Sequence, residues 1–145
     1  MKRFSTMLLL AGLMATAACN DSNDDDNTPT TMQASATLNG SQEVPANNSA
    51  ATGTMTGTYD KSTRTLTYTV TYQGFTPAAG HIHQAPPGQN GGVIVPFSSV
   101  ATSPIRGTAT LTEADAASLM AGNTYVNLHS STYPNGEIRG NITLK

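Results

Sequence analysis

The segment TLTYTVTY, Thr65 to Tyr72, alternates without a fault. Leu66, Tyr68, Val70 and Tyr72 fall on one side and four threonines on the other. A helix would scatter these apolar groups around its circumference, whereas an extended strand with one buried and one wet face gathers them on one side. ATGTMTGTY, Ala51 to Tyr59, precedes it across the short polar segment DKSTR, and the two read as a hairpin.

Further strand-like segments follow the same pattern: QASATLNG, AGHIHQ, GVIVPF, IRGTATL, TYVNLHS and GEIRGNITL. Turn signals separate them, among them Asn-Gly at 39–40, 90–91 and 135–136. TEADAASLMAG is the one helical segment. Thr112 can cap its start with Asp115 three residues on, and Gly122 can end it. These elements predict an all-β fold, an antiparallel β-sandwich of about eight strands with one short helix. Trp is absent, so Val, Ile, Leu and Tyr must supply the core.

The first third of the 145-residue chain has a different character. Lys2 and Arg3 precede an apolar run closed by small residues, the layout of a secretory signal peptide over residues 1–18. The run is too short to span a bilayer. TAAC, ending at Cys19, resembles the lipobox of bacterial lipoproteins, which implies lipidation of that cysteine. Cys19 is the sole cysteine, so it has no partner for an internal disulfide. Residues 19–33 are polar and acidic and predict a disordered tether. The acidic run resembles export signals of surface lipoproteins in the Bacteroidetes; the alternative reading is a plain solvated spacer. The domain proper is expected at 34–145. Loss of Lys2 and Arg3 leaves five basic against nine acidic groups, and no basic stripe exists to bind nucleic acid.

The histidines carry the chemistry. The chain has three, and two stand in GHIHQAPPGQNGG, Gly80 to Gly92. If Ile82 faces the core, His81 and His83 both face away from it, about 6.6 Å apart at a rise of roughly 3.3 Å per residue. With Val126 and Leu128 inside, Tyr125, Asn127 and His129 face outward. With Ile138, Ile142 and Leu144 inside, Glu137, Arg139 and Asn141 do the same. Were the two histidine strands neighbours, three imidazoles could meet at one ion, and such a set suits copper, zinc or nickel. Tyr125, Asn127, Glu137 and Arg139 would then be supporting or ligand-binding residues. The competing reading gives His81, His83 or Glu137 to hydrogen bonding of the Gly-Pro-Asn loop. Nucleophilic catalysis has little support: no serine sits in a Gly-x-Ser-x-Gly elbow. Glu113 and Asp115 read as first-turn helix charges.

Three motifs in order, Glu43-Val44-Pro45, His81-Ile82-His83 with its Gly88-Gln89-Asn90-Gly91 loop, and Tyr125-Val126-Asn127 with His129 and Pro134 to Gly140, resemble the CHRD domain. That module is repeated in the animal protein chordin and stands alone in many bacterial proteins. The resemblance runs from about Ala34 to Leu144 and implies a sandwich outside the cytoplasm. Chordin antagonises extracellular growth factors, but its other modules are missing here. A fainter resemblance is to copper/zinc superoxide dismutase, also an eight-stranded sandwich, with His-x-His on one strand and a further copper-ligating histidine on a late strand. No histidine lies between His83 and His129, where that family keeps its bridging and zinc ligands, and its disulfide is missing.

The sequence therefore predicts a lipid-anchored module of the cell envelope that binds an extracellular protein or glycan, with no catalytic residue assigned. The alternative is a copper or zinc domain, redox-active if it works as the dismutase does. Cys19→Ser protein should be released from membranes into the soluble fraction, because only several acyl chains anchor stably. A processed Cys19→Ser protein that still sediments with membranes would reject lipidation at this residue.

Overall fold

The computed structural model describes residues 30–145. The leader, Cys19 and most of the tether lie outside them. Nine strands and one helix follow in chain order: β1 Thr31–Asn39, β2 Thr52–Asp60, β3 Thr65–Gln73, β4 Ala79–Gln84, β5 Gly92–Pro96, β6 Ile105–Thr110, α1 Glu113–Met120, β7 Thr124–His129, β8 Ile138–Asn141 and β9 Thr143–Leu144. The order across the antiparallel sheet is β5-β4-β7-β8-β1-β2-β3-β6, with β9 also on β1. β1 starts earlier than the composition shift indicates. Thr31 to Gln33, expected in the tether, pair with β2, and Gln33 exchanges backbone hydrogen bonds with Lys145.

The sheet curls until its two halves face each other. Leu128, Val126 and Ile138 from one half share a core with Met55, Leu66 and Val70 from the other. Where β5 comes round toward β3, the Phe97 ring lies 5.1 Å from that of Tyr68. The Tyr72 hydroxyl donates to Val100 O nearby at 2.7 Å. One curled sheet thus forms both layers of the expected sandwich. The segment predicted as one final strand breaks at Ile142, whose N–H turns to Thr124 O while Thr143 and Leu144 move onto β1.

The helix forms as its ends dictate. Thr112 Oγ1 accepts from the Asp115 N–H at 3.2 Å and donates to the Asp115 carboxylate at 2.6 Å, so two groups at the first turn are satisfied together. Gly122 ends it at φ +73°, and Ala116 and Leu119 enter the core.

The alternation of β3 survives intact. Leu66, Tyr68 and Val70 are buried, while its threonines face solvent beside those of β2 and β6; Thr54 and Thr71 share a hydroxyl hydrogen bond of 2.7 Å. The same outward face behaves differently at β4, β7 and β8. His83, Tyr125, Asn127, Glu137 and Arg139 do point away from the core, but all five are buried. Three loops, 43–49, 85–91 and 130–137, fold over them. Alternation specifies the side of the sheet a residue takes, and covering by remote loops specifies whether that side is wet.

Val70→Asp should prevent folding, because it strands an unpaired charge in the core, while Thr69→Asp should cost less than about 1 kcal/mol in urea unfolding. Equal losses would mean that both faces of β3 are buried.

Candidate metal centre

β4 and β7 are hydrogen-bonded neighbours, with Ala79 opposite His129, His81 opposite Asn127 and His83 opposite Tyr125. This register sets His81 diagonal to His129 on the side of the sheet away from the core. Beside them, the pairing of β4 with β5 slips: Ile82 faces Val95 but His83 faces Val93, leaving Ile94 unmatched. A bulge of this kind bends a strand and re-aims the neighbouring side chain.

The three imidazoles converge. His81 Nδ1 lies 3.2 Å from His129 Nε2, and one nitrogen from each ring can be chosen so that all lie within 4.8 Å of one another. Their outer nitrogens have partners. His83 Nδ1 is 3.0 Å from Gly91 O, and His129 Nδ1 is 3.1 Å from Pro134 O. A carbonyl only accepts, so both Nδ1 atoms carry the proton and both Nε2 atoms keep the lone pair. Metal-binding histidines are commonly held this way, one nitrogen donating to a carbonyl while the other faces the ion. His83 Nε2 is buried and has no hydrogen-bond partner among the described residues. An acceptor left so is costly unless something occupies the place before it. Two nitrogens on a tetrahedral ion with bonds of about 2.0–2.1 Å would stand roughly 3.3 Å apart, close to the His81–His129 separation.

Burial lowers all three imidazole pKa values below the ordinary 6.5. For His83, the neighbouring His81, His129 and Arg139 lower it further, while the Gly91 hydrogen bond acts in the opposite sense. A transition-metal ion requires neutral rings; the His83 Nε2 lone pair is free, while that of His129 Nε2 accepts from His81 Nδ1–H, a proton that an ion would displace. His83 and His129 also line a cleft of ≈ 360 Å³ with Tyr125, Asn127 and the 44–45 loop. A fourth ligand could approach from there.

Supporting side chains hold this arrangement. The Tyr125 ring stacks on His83, with centroids 4.9 Å apart and planes 6° from parallel, and the Arg139 guanidinium carbon sits 3.4 Å from the centre of the tyrosine ring. β4 and β8 flank β7 on opposite sides, so the tyrosine lies between histidine and arginine. Arg139 donates to Asn90 Oδ1 at 3.1 Å and to Gln89 O at 2.7 Å. It thereby pins the loop whose Gly91 carbonyl orients His83. With 0% of its surface exposed, Arg139 departs from expectation in one respect: it takes the outward side of β8, but a loop covers it and leaves no solvent face for an approaching ligand. Glu137 also departs from expectation: its carboxylate accepts from Ser49 Oγ at 2.7 Å and does not line the histidine cleft.

A family model, the CHRD domain, matches residues 34–142. The chain belongs to the CHRD-domain family. No curated protein and no solved structure matches it. Each motif of the CHRD resemblance has a place in this site. His81-Ile82-His83 and Tyr125 to His129 build the floor, Gln89 to Gly91 and Pro134 to Glu137 form covering loops, and Glu43-Val44-Pro45 closes one side.

The sequence reading assigned no role to Glu43. Asn127 Nδ2 donates to its Oε1 at 2.5 Å, and burial pushes the carboxyl up to about 7, against smaller lowering effects of Asn127 and Arg139. Asn90 and Pro134 O were also missed as supports, whereas the His83–Gly91 O bond is one the loop-support reading anticipated. Gly136 explains the closeness of these loops. A Cβ there would lie 2.6 Å from Glu43 Oε2 and 2.7 Å from Asn127 Nδ2, at φ +138°. Gly136→Ala should therefore cost about 2–4 kcal/mol by urea unfolding. Gly122→Ala, also at positive φ but in open space, should cost only about 1–2 kcal/mol. Equal losses at the two sites would show that only the dihedral matters.

Proposed function

We propose that this chain is an exported, lipid-anchored module of the cell envelope whose CHRD domain binds a divalent transition-metal ion, copper or zinc, through His81, His83 and His129. The observation that carries the reading is the convergence of three neutral imidazoles, two of them locked by backbone carbonyls, on a place where His83 Nε2 is otherwise unpartnered. Envelope placement and lipidation rest on the leader-like N-terminus and the small-small-Cys sequence at Cys19. Metal binding gives the histidines a shared purpose that loop support alone does not, since loop support uses only Nδ1 of His83 and His129.

The ligand set carries no carboxylate, and among divalent ions copper(II) binds imidazole sites tightest. His81, His83 and His129 would hold the ion. Tyr125 and Arg139 would keep His83 in place, and the cleft would admit a small fourth ligand. This leaves room for redox chemistry of the dismutase type, but binding is the primary proposal.

Protein purified without a histidine tag should take up one copper(II) or zinc ion near pH 7. His81→Ala and His129→Ala should each lose at least about tenfold in affinity with the fold retained. Because the folded imidazoles titrate below 6.5, proton competition should weaken binding only as pH falls beneath that value. Wild type and the double variant binding equally weakly would reject the centre. Stoichiometric metal without superoxide turnover would keep the binding role and eliminate dismutase chemistry.

A further inference from the structure

A second cleft adjoins the histidines and has a different chemistry. It encloses ≈ 280 Å³ between the 43–47 and 132–136 loops. Val44, Pro45, Ala46, Tyr133 and Pro134 supply apolar wall, Asn47, Thr132 and Asn135 supply polar wall in about equal measure, and Glu43 is its one carboxylate. Val44, Pro45 and Asn135 also border the histidine cleft, so these residues separate the two spaces.

Glu43 is only 8% exposed, and no cationic side chain makes a hydrogen bond to it. Its Oε1 accepts from Asn127, and no hydrogen bond within the described residues reaches Oε2. The nearby positive charge, Arg139, spends its bonded donors on Asn90 and Gln89 and its face on Tyr125. The remaining groups around the carboxyl are also committed: Glu137 to Ser49, His129 to Pro134 and His81. If Asn127 needed only an acceptor, a glutamine would serve without the cost of a buried charge.

The geometry points to a binding site for an organic cation, a primary ammonium group on a short alkyl chain such as a lysine side chain, which enters between the two loops and pairs with Glu43. A slot that combines apolar wall with a few placed polar groups is the common form of a small-ligand site, and this volume lies just below the usual range of that class, which suits a small ligand group. The alkyl stem would pack on Val44, Pro45 and Pro134, and Tyr133 offers an aromatic face to the cation. The same chemistry could come from a protein or from a free amine.

Raised to about 7 by burial, the Glu43 carboxyl is partly protonated at neutral pH. An arriving ammonium favours the ionised form, so binding should expel a proton. The site is independent of metal, and the test uses metal-free protein so that failure here leaves the histidine reading untouched.

In nuclear magnetic resonance titrations, n-butylamine and N-acetyl-lysine amide should shift amides of residues 43–47 and 132–136. Their neutral counterparts 1-butanol and N-acetyl-norleucine amide should not. Preference for the lysine amide assigns a protein ligand, and preference for butylamine assigns a free amine; both support an ammonium site. Glu43→Gln, whose amide oxygen can still accept from Asn127, should lose at least about tenfold in affinity. As a measure that needs no variant, calorimetry of wild type near pH 7 in two buffers of different ionisation heat should show a net release of protons. Equal shifts by the neutral compounds, no shift by the amines, or binding that moves no proton would each overturn the proposal.

Discussion

A guanidinium with no exposed surface organises the functional end of this domain. Arg139 reaches from β8 across the tyrosine of β7 to the loop that follows β4, and holds that loop at Gln89 and Asn90. An unpaired buried charge would cost several kcal/mol, so the loop must remain where its oxygens meet the guanidinium. The loop in turn presents the Gly91 carbonyl to His83. A packing requirement on one side of β7 thus fixes the tautomer of a histidine on the other.

The other two loops are tied by the same economy of polar groups. Asn47 donates to the carbonyls of Gly136 and Glu137, Asn90 donates to Val44 O, and Asn127 bridges Glu43 to Ile138 O. Each loop therefore uses polar groups of another, and none covers the sheet alone. The result is a polar layer over the outer face of β4, β7 and β8, set against the bare threonine face of β2, β3 and β6. One curled sheet supplies both surfaces. Its apolar core stabilises the fold, and its loop-covered end supplies the chemistry.

Much of the fold was legible because it depends on local alternation and end signals. β3 and the Thr112 cap can be read within windows of ten residues, and the β2–β3 hairpin within Thr52 to Gln73. The histidine grouping was legible as a parity argument, conditional on β4 and β7 being neighbours, and 48 positions separate His81 from His129. The covering of that face was not legible, since Asn127 meets Glu43 across 84 positions and Arg139 meets Asn90 across 49. Nothing in the alternation of Glu137, Arg139 and Asn141 distinguishes a wet face from one under a loop. Arg139 did carry a signal: a charged residue in a strand otherwise made of Ile, Gly and Asn, in a chain only 11% charged. The bulge beside His83 had none, because Ile94 looks like any other apolar residue of β5.

The histidines and Glu43 oppose each other in pH. The histidines have folded pKa values below their unfolded ones, so their contribution is complete above about 6.5 and is lost as the pH falls beneath it. Glu43 is raised from 4.5 to about 7, so its contribution is complete below 4.5 and is lost as the pH rises to 7. Across the interval between, one slope offsets part of the other, and the metal-free domain should show a shallow dependence of stability on pH. An ion on the imidazoles adds to the histidine side alone, because it binds the neutral rings and competes with their protons. Loading the proposed centre would therefore tilt the balance: the extra stability would be greatest above 6.5 and disappear with acid, while the carboxyl that faces the neighbouring cleft would keep its own opposite slope.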